Sequence, residues 1–210
     1  MTDTPESSDF EMPETIVLAS SNPHKVEELR ATLAPLNIEL KSSADFPGLD
    51  ELVEDAPTLQ GNALKKAEYL YKMTGLPSLA DDTGLEVDAL DGAPGVYSAR
   101  YAGEKATYED NVQKLLREMK GQKDRKARFR TAIVFMNPSG SFIFNGICDG
   151  SIRREESGSG GFGYDPVFEP AGYAETFAEL DQDEKNAISH RGRAVQQFIA
   201  FLQSIPNAVE

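Results

Sequence analysis

The sequence predicts an α/β fold, because strand-like apolar segments alternate along the chain with segments of helical periodicity. Residues 15–19 form a short apolar strand segment, and apolar residues then recur at helical spacing across residues 26–36. Residues 127–148 contain two strand-like runs joined by the turn sequence Asn-Pro-Ser-Gly, which favours a β-hairpin. Residues 189–205 have the periodicity of a closing amphipathic helix.

The first strand leads directly into the first helix. Asn22 suits the N-cap of that helix and Pro23 its first position. Lys25 follows in the first turn, where the helix dipole disfavours a cation, and His190 with Arg191 repeats this arrangement at the start of the closing helix. Either anions bind at these helix starts, or the basic side chains simply lie on solvated faces.

A second helix follows a polar, turn-rich link over residues 38–53 that has room for one short strand. The helix begins after the cap residue Thr58 and ends at Gly75. Asn62 and Lys66 lie one turn apart beside its apolar stripe. They are either an ordinary amphipathic boundary or part of a site.

Two adjacent carboxylates, Asp81 and Asp82, precede an alternation that places Leu85, Val87 and Ala89 on one face of a strand. Two carboxylates held close together at the edge of a buried strand repel each other, which raises the free energy of the folded state. This cost falls if a divalent cation binds between them or if one carboxyl keeps its proton. The alternative is a plain turn, since Asp and Gly favour turns.

The middle of the chain is predicted as a long loop over residues 91–103, then a helix whose cap Thr107 forms a reciprocal box with Asp110. Residues 158–163 match the dinucleotide fingerprint G-x-G-x-x-G. We reject a dinucleotide site, because no helix opens after these glycines. We expect instead a mobile or closely approached loop that carries Phe162.

Composition limits the possible functions. The chain has 210 residues and 40% hydrophobic content, enough for one good core without an obvious second domain. The formal net charge of −14 argues against a nucleic-acid or anionic-membrane partner. A polyphosphate ligand would therefore need locally gathered cations and a metal ion.

The remaining features indicate a soluble, cytoplasmic protein. Residues 1–13 are polar and acidic, without the basic start and apolar centre of a signal peptide, and we interpret them as a disordered tail. No apolar run approaches the roughly 20 residues of a membrane span. Cys148 is the one cysteine, which excludes an internal disulfide and a Cys-based zinc cluster, and its apolar surroundings predict a buried small hydrophobe.

Six segments together resemble one family, and the resemblance runs from about Ile16 to the C-terminus. The segments are Ser20-Ser21-Asn22-Pro23-His24-Lys25, Glu54 with Thr58 and Asn62-Ala63, residues 80–85, residues 92–101, residues 161–166, and Lys185 with Ser189-His190-Arg191-Gly192. In this order they are similar to the inosine triphosphate pyrophosphatase family, which removes non-standard purine nucleoside triphosphates. Two local departures are Ser20-Ser21 where the family usually has Thr-Gly, and Asp55-Ala56-Pro57 after Glu54.

The resemblance implies an α/β fold with a mixed sheet, two-lobed with a central nucleotide-binding groove. Residues 14–210 would form this single domain. It also implies a homodimer and Mg²⁺-dependent hydrolysis of ITP, dITP and XTP to the monophosphate and pyrophosphate.

Roles for individual residues follow from the same resemblance. Asp82 would be the catalytic base, with Asp81 as the alternative, and Asp82 and Glu54 would hold Mg²⁺. Phe162 would stack on the purine, and Tyr164, Asp165, His190 and Arg191 would line its edge. The full set of substrate-binding residues is Ser20, Ser21, Asn22, Pro23, His24, Lys25, Asn62, Lys66, Thr83, Phe162, Gly163, Tyr164, Asp165, Lys185, His190 and Arg191.

Two other functions remain open at this point. The Asp-Asp-Thr-Gly run superficially suggests an aspartyl nucleophile, so a Mg²⁺-dependent phosphomonoesterase would fit it and would release orthophosphate. A non-catalytic nucleotide sensor would use the same Lys and Arg residues without turnover.

Overall fold

A six-stranded mixed sheet organises the computed structural model, which describes residues 11–20, 23–50 and 52–205. The strands are β1 (Thr15–Leu18), β2 (Glu39–Ser42), β3 (Ser78–Val87), β4 (Lys126–Asn137), β5 (Gly140–Ile152) and β6 (Phe168–Pro170). The α-helices are α1 (Pro23–Leu33), α2 (Leu59–Thr74), α3 (Tyr108–Glu118), α4 (Gln182–Ile188) and α5 (His190–Gln203). The predicted α/β class with a mixed sheet is confirmed.

The sheet has the order β2-β1-β3-β4-β5-β6. β1 is parallel to both of its neighbours, and every pairing from β3 to β6 is antiparallel. β1 is much shorter than β3, and their paired register ends at Leu18 and Leu79. The edge of β3 beyond this point is therefore open at the carboxyl end of β1, where ligand sites of open α/β sheets lie.

The predicted hairpin is confirmed and is longer than expected. Its strands β4 and β5 pair from Asn137 and Gly140 at the turn to Lys126 and Ser151 at the far end. The side chain of Asn137 stabilises the turn, because its Oδ1 accepts a hydrogen bond from Ser139 N at 2.8 Å.

Helix caps lie where the local sequence predicts them. Thr58 accepts a hydrogen bond from the backbone N–H of Gly61, and Ser189 accepts one from that of Gly192, each at 3.0 Å. Thr107 and Asp110 form the expected reciprocal box. These caps fix where α2, α3 and α5 begin.

Three boundaries differ from the prediction. The helix α1 ends at Leu33 and continues as a 3₁₀ turn over residues 34–36, because Pro35 lacks an N–H group. Ala89 lies in a 3₁₀ turn after β3 rather than in the strand. The predicted loop over residues 91–103 contains a 3₁₀ helix, Gly95–Arg100.

Buried apolar side chains form three clusters around the sheet. One joins α1 and α5 to the strands around Ile16 and Phe135, and another joins α3 to Leu85 and Phe168. The third packs α2 on the opposite face of β3, against Ala80. The division into two lobes stays a prediction.

No helix in the described ranges is long and apolar enough to cross a bilayer.

Candidate active site

The two adjacent carboxylates lie inside β3 and point to opposite faces of the sheet. They pair in register with Ile133 and Ala132 of β4, so the interpretation of this run as a plain turn is wrong. Successive side chains of a strand alternate between its faces. Asp81 therefore lies on the face covered by α1 and α5, whereas Asp82 lies on the face covered by α2.

Asp81 is enclosed by two cations. Lys25 Nζ lies 2.8 Å from its Oδ2, and Arg191 Nε lies 3.5 Å from the same oxygen. Burial by itself would raise the pKa of this carboxyl, but Lys25 and then Arg191 outweigh burial and hold the pKa well below its ordinary value. Asp81 is therefore a permanent anion that joins α1 to α5.

Asp82 has the opposite electrostatic character. Asn62 Nδ2 donates to its Oδ2 at 3.2 Å, and Lys66 Nζ lies 3.6 Å from its Oδ1. Burial raises the pKa of Asp82, and the nearby charge of Glu54 adds to this effect, while Lys66 opposes it. Of the two carboxyl groups, Asp82 is the one with increased proton affinity, as a general base requires.

Lys66 lies between the two predicted metal ligands. Its ammonium is 2.9 Å from Glu54 Oε1 and 3.6 Å from Asp82 Oδ1, and it donates to the carbonyl oxygen of Asp81 at 2.7 Å. Burial lowers the pKa of Lys66, but Asp82 and Glu54 more than compensate, so the pKa is raised and the group stays charged. Two carboxylates thus converge on one position that carries positive charge.

This donor set fits Mg²⁺. The ion usually binds one or two protein carboxylates and completes its shell with water and phosphate oxygens. Within residues 11–20, 23–50 and 52–205, no group of three or more His, Cys, Asp or Glu side chains could hold a metal ion. An all-protein cage is therefore not formed by these residues, whereas a two-carboxylate site completed by phosphate is compatible with them.

Two neighbouring cavities meet at Lys25, and we name them after the triphosphate and the purine that the family resemblance predicts as ligands. The first, which we call the phosphate cavity, has a volume of about 1020 Å³, and its lining includes Ser20, Lys25, Glu54, Lys66, Asp81 and Arg100. The second, which we call the base cavity, has a volume of about 740 Å³, and its lining includes Thr83, Phe162, Lys185, His190 and Arg191 as well as Lys25. Asp82 does not line the phosphate cavity itself. Its Oδ1 lies 3.6 Å from Nζ of Lys66, and Lys66 lines that cavity.

The Phe162 ring is held in the base cavity by the loop that carries it. Asp165 Oδ2 accepts a hydrogen bond from Phe162 N at 2.7 Å and another from Lys185 Nζ at 2.7 Å. Lys185 Nζ lies 5.2 Å from the centre of the ring, and Arg191 Cζ lies 5.4 Å from it. Gly161 is required here, because a Cβ atom on it would lie 2.2 Å from Asp165 Oδ2. The loop is closely approached, as predicted.

His190 is a neutral donor or acceptor at the start of α5. Its ring stacks on Phe129 with a centroid distance of 4.5 Å. Burial, reinforced by Arg191 and Lys185, lowers the pKa of His190 well below its usual value. The ring is therefore uncharged near neutral pH, and its Nδ1 has no hydrogen-bond partner in the described part of the chain.

Most of the predicted substrate-binding residues converge on these cavities. Thr83, Gly163, Tyr164 and Asp165 line the base cavity, although the Tyr164 hydroxyl is already engaged in donating to Ser98 O at 2.9 Å. Ser21 and Asn22 lie outside the described residues, and so do the side chains of Pro23 and His24. Pro23 is the first residue of α1, as predicted. The individual roles of all these residues stay predictions.

The sequence reasoning missed two residues at the site, Ser98 and Arg100. The Ser98 hydroxyl accepts a hydrogen bond from Leu85 N at 2.9 Å and so fixes the 3₁₀ helix against β3. Arg100 Nη2 donates to Glu54 O at 2.6 Å. Both residues lie in the segment 92–101 that contributes to the family resemblance, and this membership was the available signal.

A sequence model of the Ham1 family matches residues 16–201, and the chain belongs to this family. It is 49% identical over 186 residues to a dITP/XTP pyrophosphatase of Desulfotalea psychrophila, with 88% of this chain and 83% of the relative covered. It is 52% identical over 202 residues to a dITP/XTP pyrophosphatase of Chlorobaculum tepidum, with coverage of 86% and 89%. The resemblance found in the sequence is thereby confirmed.

A solved structure agrees with this assignment. The HAM1 protein from Coxiella burnetii superposes with a TM-score of 0.85 at 43% identity, covering 90% of this chain and 98% of that one. The predicted enzyme class, a nucleoside-triphosphate pyrophosphatase, agrees with the names of the two relatives above.

Proposed function

We propose that the protein hydrolyses dITP, ITP and XTP to the nucleoside monophosphate and pyrophosphate, with Mg²⁺, and so removes these nucleotides from the cellular pool. The observation that carries the proposal is the junction of the two cavities at Lys25, which pairs with Asp81, while Asp82 pairs with Lys66 in the wall of the phosphate cavity. One cavity suits a polyphosphate and the other a purine. The names of the relatives point to two of these substrates, dITP and XTP.

The phosphate cavity must bind a polyanion in a protein of net charge −14. Lys25 and Lys66 would supply positive charge locally, and carboxylates hold both in place. Burial lowers the pKa of Lys25 against the attraction of Asp81, whereas Asp82 and Glu54 raise that of Lys66. Glu54 and Asp82 would hold Mg²⁺, which supplies charge neutralisation at the phosphates when bound. The oxygens that Lys66 now contacts are the ones available for the ion.

Asp82 would act on the attacking water. Its carboxylate would accept a proton as the water oxygen forms a bond to the α-phosphorus. The bond between the α-phosphorus and the bridging oxygen breaks, and pyrophosphate leaves with the electron pair. General-base assistance of this kind contributes about 10²–10⁴-fold to a rate.

The base cavity would distinguish a 6-carbonyl from a 6-amino purine. Phe162 can stack on the ring, and the Arg191 guanidinium can donate a hydrogen bond to the carbonyl oxygen. An amino group at that position cannot accept this hydrogen bond. A site built to hydrogen-bond one substrate group can reject an analogue that lacks it by about 10⁴-fold.

One assay tests the proposed function. The protein is incubated with Mg²⁺ and, separately, with ITP, dITP, XTP, ATP and GTP, and the products are separated. Release of IMP with pyrophosphate supports the proposal, whereas IDP with orthophosphate would indicate a phosphomonoesterase-like reaction. Tight binding without products would indicate a sensor.

The homodimer and the cytoplasmic location are part of the same proposal. The substrates are free nucleotides, which are most abundant in the cytoplasm. Light scattering on the purified chain, at concentrations that span the assay conditions, measures the mass in solution and distinguishes a dimer from a monomer.

A further inference from the structure

Arg100 is held at the wall of the phosphate cavity by Glu54. Its Nη2 donates to the backbone carbonyl of Glu54 at 2.6 Å, and its Nη1 lies 3.7 Å from Glu54 Oε2. The guanidinium also lies over the ring of Tyr97, 5.3 Å from its centre, and its Nε lies 3.7 Å from Oε1 of the exposed Glu104. These contacts place the group at the rim of the cavity with one edge towards the Glu54 carboxylate.

The carboxylate of Glu54 therefore faces two cations. Lys66 approaches one of its oxygens at 2.9 Å, and Arg100 approaches the other at 3.7 Å. A carboxylate in this situation is a weaker ligand for Mg²⁺, because the ion must compete with positive charges that are already present. A bound triphosphate would remove this competition, because Lys66 and Arg100 could then pair with phosphate oxygens and leave the Glu54 carboxylate to the ion.

Arg100 makes a weak contact with the Glu54 side chain and a strong one with the Glu54 backbone. The distance of 3.7 Å from Nη1 to the carboxylate is that of an ion pair without a hydrogen bond, whereas Nη2 makes a short hydrogen bond to the carbonyl oxygen. Nη1 can turn away from the Glu54 carboxylate while Nη2 keeps its hydrogen bond to the backbone, because neither Nη1 nor Nε is held by a hydrogen bond to a carboxylate. Its fork of donors suits phosphate oxygens better than the ammonium of a lysine does.

We propose that Arg100 is a phosphate-binding residue that serves as counter-ion to Glu54 until metal and triphosphate bind. When they bind, Nη1 of Arg100 leaves the Glu54 carboxylate and contacts a phosphate oxygen instead. This inference rests on the proposed function, because it assigns the occupant of the phosphate cavity.

Removal of Arg100 should change two affinities in opposite directions. Without the guanidinium, Glu54 is a better metal ligand, so the apo protein binds a divalent cation more tightly. The same change removes a phosphate contact, so pyrophosphate binds more weakly. A variant that merely distorts the cavity would weaken both.

The experiment compares Arg100→Gln with the matched control Arg130→Gln. Arg130 is paired with Glu86 at 3.1 Å and lines neither cavity, so the control removes the same charge elsewhere. Mn²⁺ affinity is measured by electron paramagnetic resonance without nucleotide, and pyrophosphate affinity by calorimetry in EDTA. Arg100→Gln should bind Mn²⁺ about threefold more tightly and pyrophosphate at least about threefold more weakly.

The control should leave both affinities within about twofold of the wild type, in line with the small effects of exposed ion pairs. Arg100→Lys, which keeps the charge, should return Mn²⁺ affinity to the wild-type value. If Arg100→Gln weakens both affinities or changes neither, the proposal is overturned. It is also overturned if Arg100→Lys behaves as Arg100→Gln does, or if Arg130→Gln tightens Mn²⁺ binding equally.

Neither measurement requires turnover. A wild type that releases no IMP from ITP would contradict the proposed function while leaving both affinities measurable. A wild type that releases IMP and pyrophosphate, with affinities unchanged in Arg100→Gln, would contradict only the role of Arg100.

Discussion

Asp81 and Asp82 are chemically identical neighbours, and the alternation of side chains along β3 gives them different environments. Asp81 lies between Lys25 and Arg191, which favour its ionised form. Asp82 lies against Asn62, where burial favours the protonated form. The two residues should therefore respond differently to the same substitution.

Asp81→Asn should destabilise the fold, whereas Asp82→Asn should not. The first change leaves Lys25 and Arg191 buried without their shared anion, at a cost of about 3–5 kcal/mol. The second removes a carboxyl whose charge is disfavoured by burial. Urea unfolding measures both effects, and equal destabilisation by the two variants would contradict the account.

The pH dependence of stability should show the same difference. The pKa of Asp81 is lower in the folded than in the unfolded protein, so its contribution is present above the unfolded value of about 3.9 and is lost as the pH falls through the folded value. The wild type should lose stability in this acid range more steeply than Asp81→Asn. Parallel curves for the two proteins would be the contrary result.

Cys148 should be unreactive in the folded protein. It is 3% exposed, and burial raises the pKa of its thiol to about 11, so little thiolate is present at pH 8. A thiol reagent such as DTNB should label it slowly in buffer and rapidly in urea, with one equivalent in total. Rapid labelling of the native protein would contradict its predicted role as a buried apolar residue.

At the level of elements, the Phe162 loop depends on one close approach. Gly161 has φ +69°, and a Cβ atom on it would lie 2.2 Å from Asp165 Oδ2. Gly172 has φ +90°, and a Cβ atom on it would meet no atom within 4 Å. Both glycines would suffer the backbone strain of an L-residue, about 1–2 kcal/mol, but only Gly161→Ala also displaces Asp165. Comparison of the two variants isolates the effect of the contact.

Gly161→Ala should raise KM for dITP several-fold more than Gly172→Ala does, because displacement of Asp165 frees Phe162 N and Lys185 Nζ. Steady-state kinetics on both variants, with unfolding curves as a check on strain, make the comparison. Equal KM values would show that the Asp165 contact does not position the ring.

Local chemistry explains which elements could be predicted. Three helix caps and the hairpin turn could be predicted, because each depends on residues only a few positions apart in the sequence. The caps are Thr58, Thr107 and Ser189. The opposed faces of Asp81 and Asp82 depend on pairing with β4, some 50 residues away. The position of Arg100 depends on its contact with Glu54, which no local pattern indicates.

In the molecule as a whole, the predicted site residues lie on both faces of one sheet. β1 is short, so the edge of β3 beyond Leu79 is open, and Lys66 binds the carbonyl of Asp81 there. Lys25 lines both cavities and pairs with Asp81. In the proposed function, the purine would lie on one side of Lys25 and the phosphates on the other.

In the proposed reaction, water attacks the α-phosphorus and Asp82 accepts its proton. Hydrolysis of ITP in ¹⁸O-enriched water, followed by mass spectrometry of both products, tests this directly. We expect one ¹⁸O atom in IMP and none in pyrophosphate, with a loss of turnover of about 10²-fold or more in Asp82→Asn. Label in pyrophosphate, or full activity of Asp82→Asn, would contradict it.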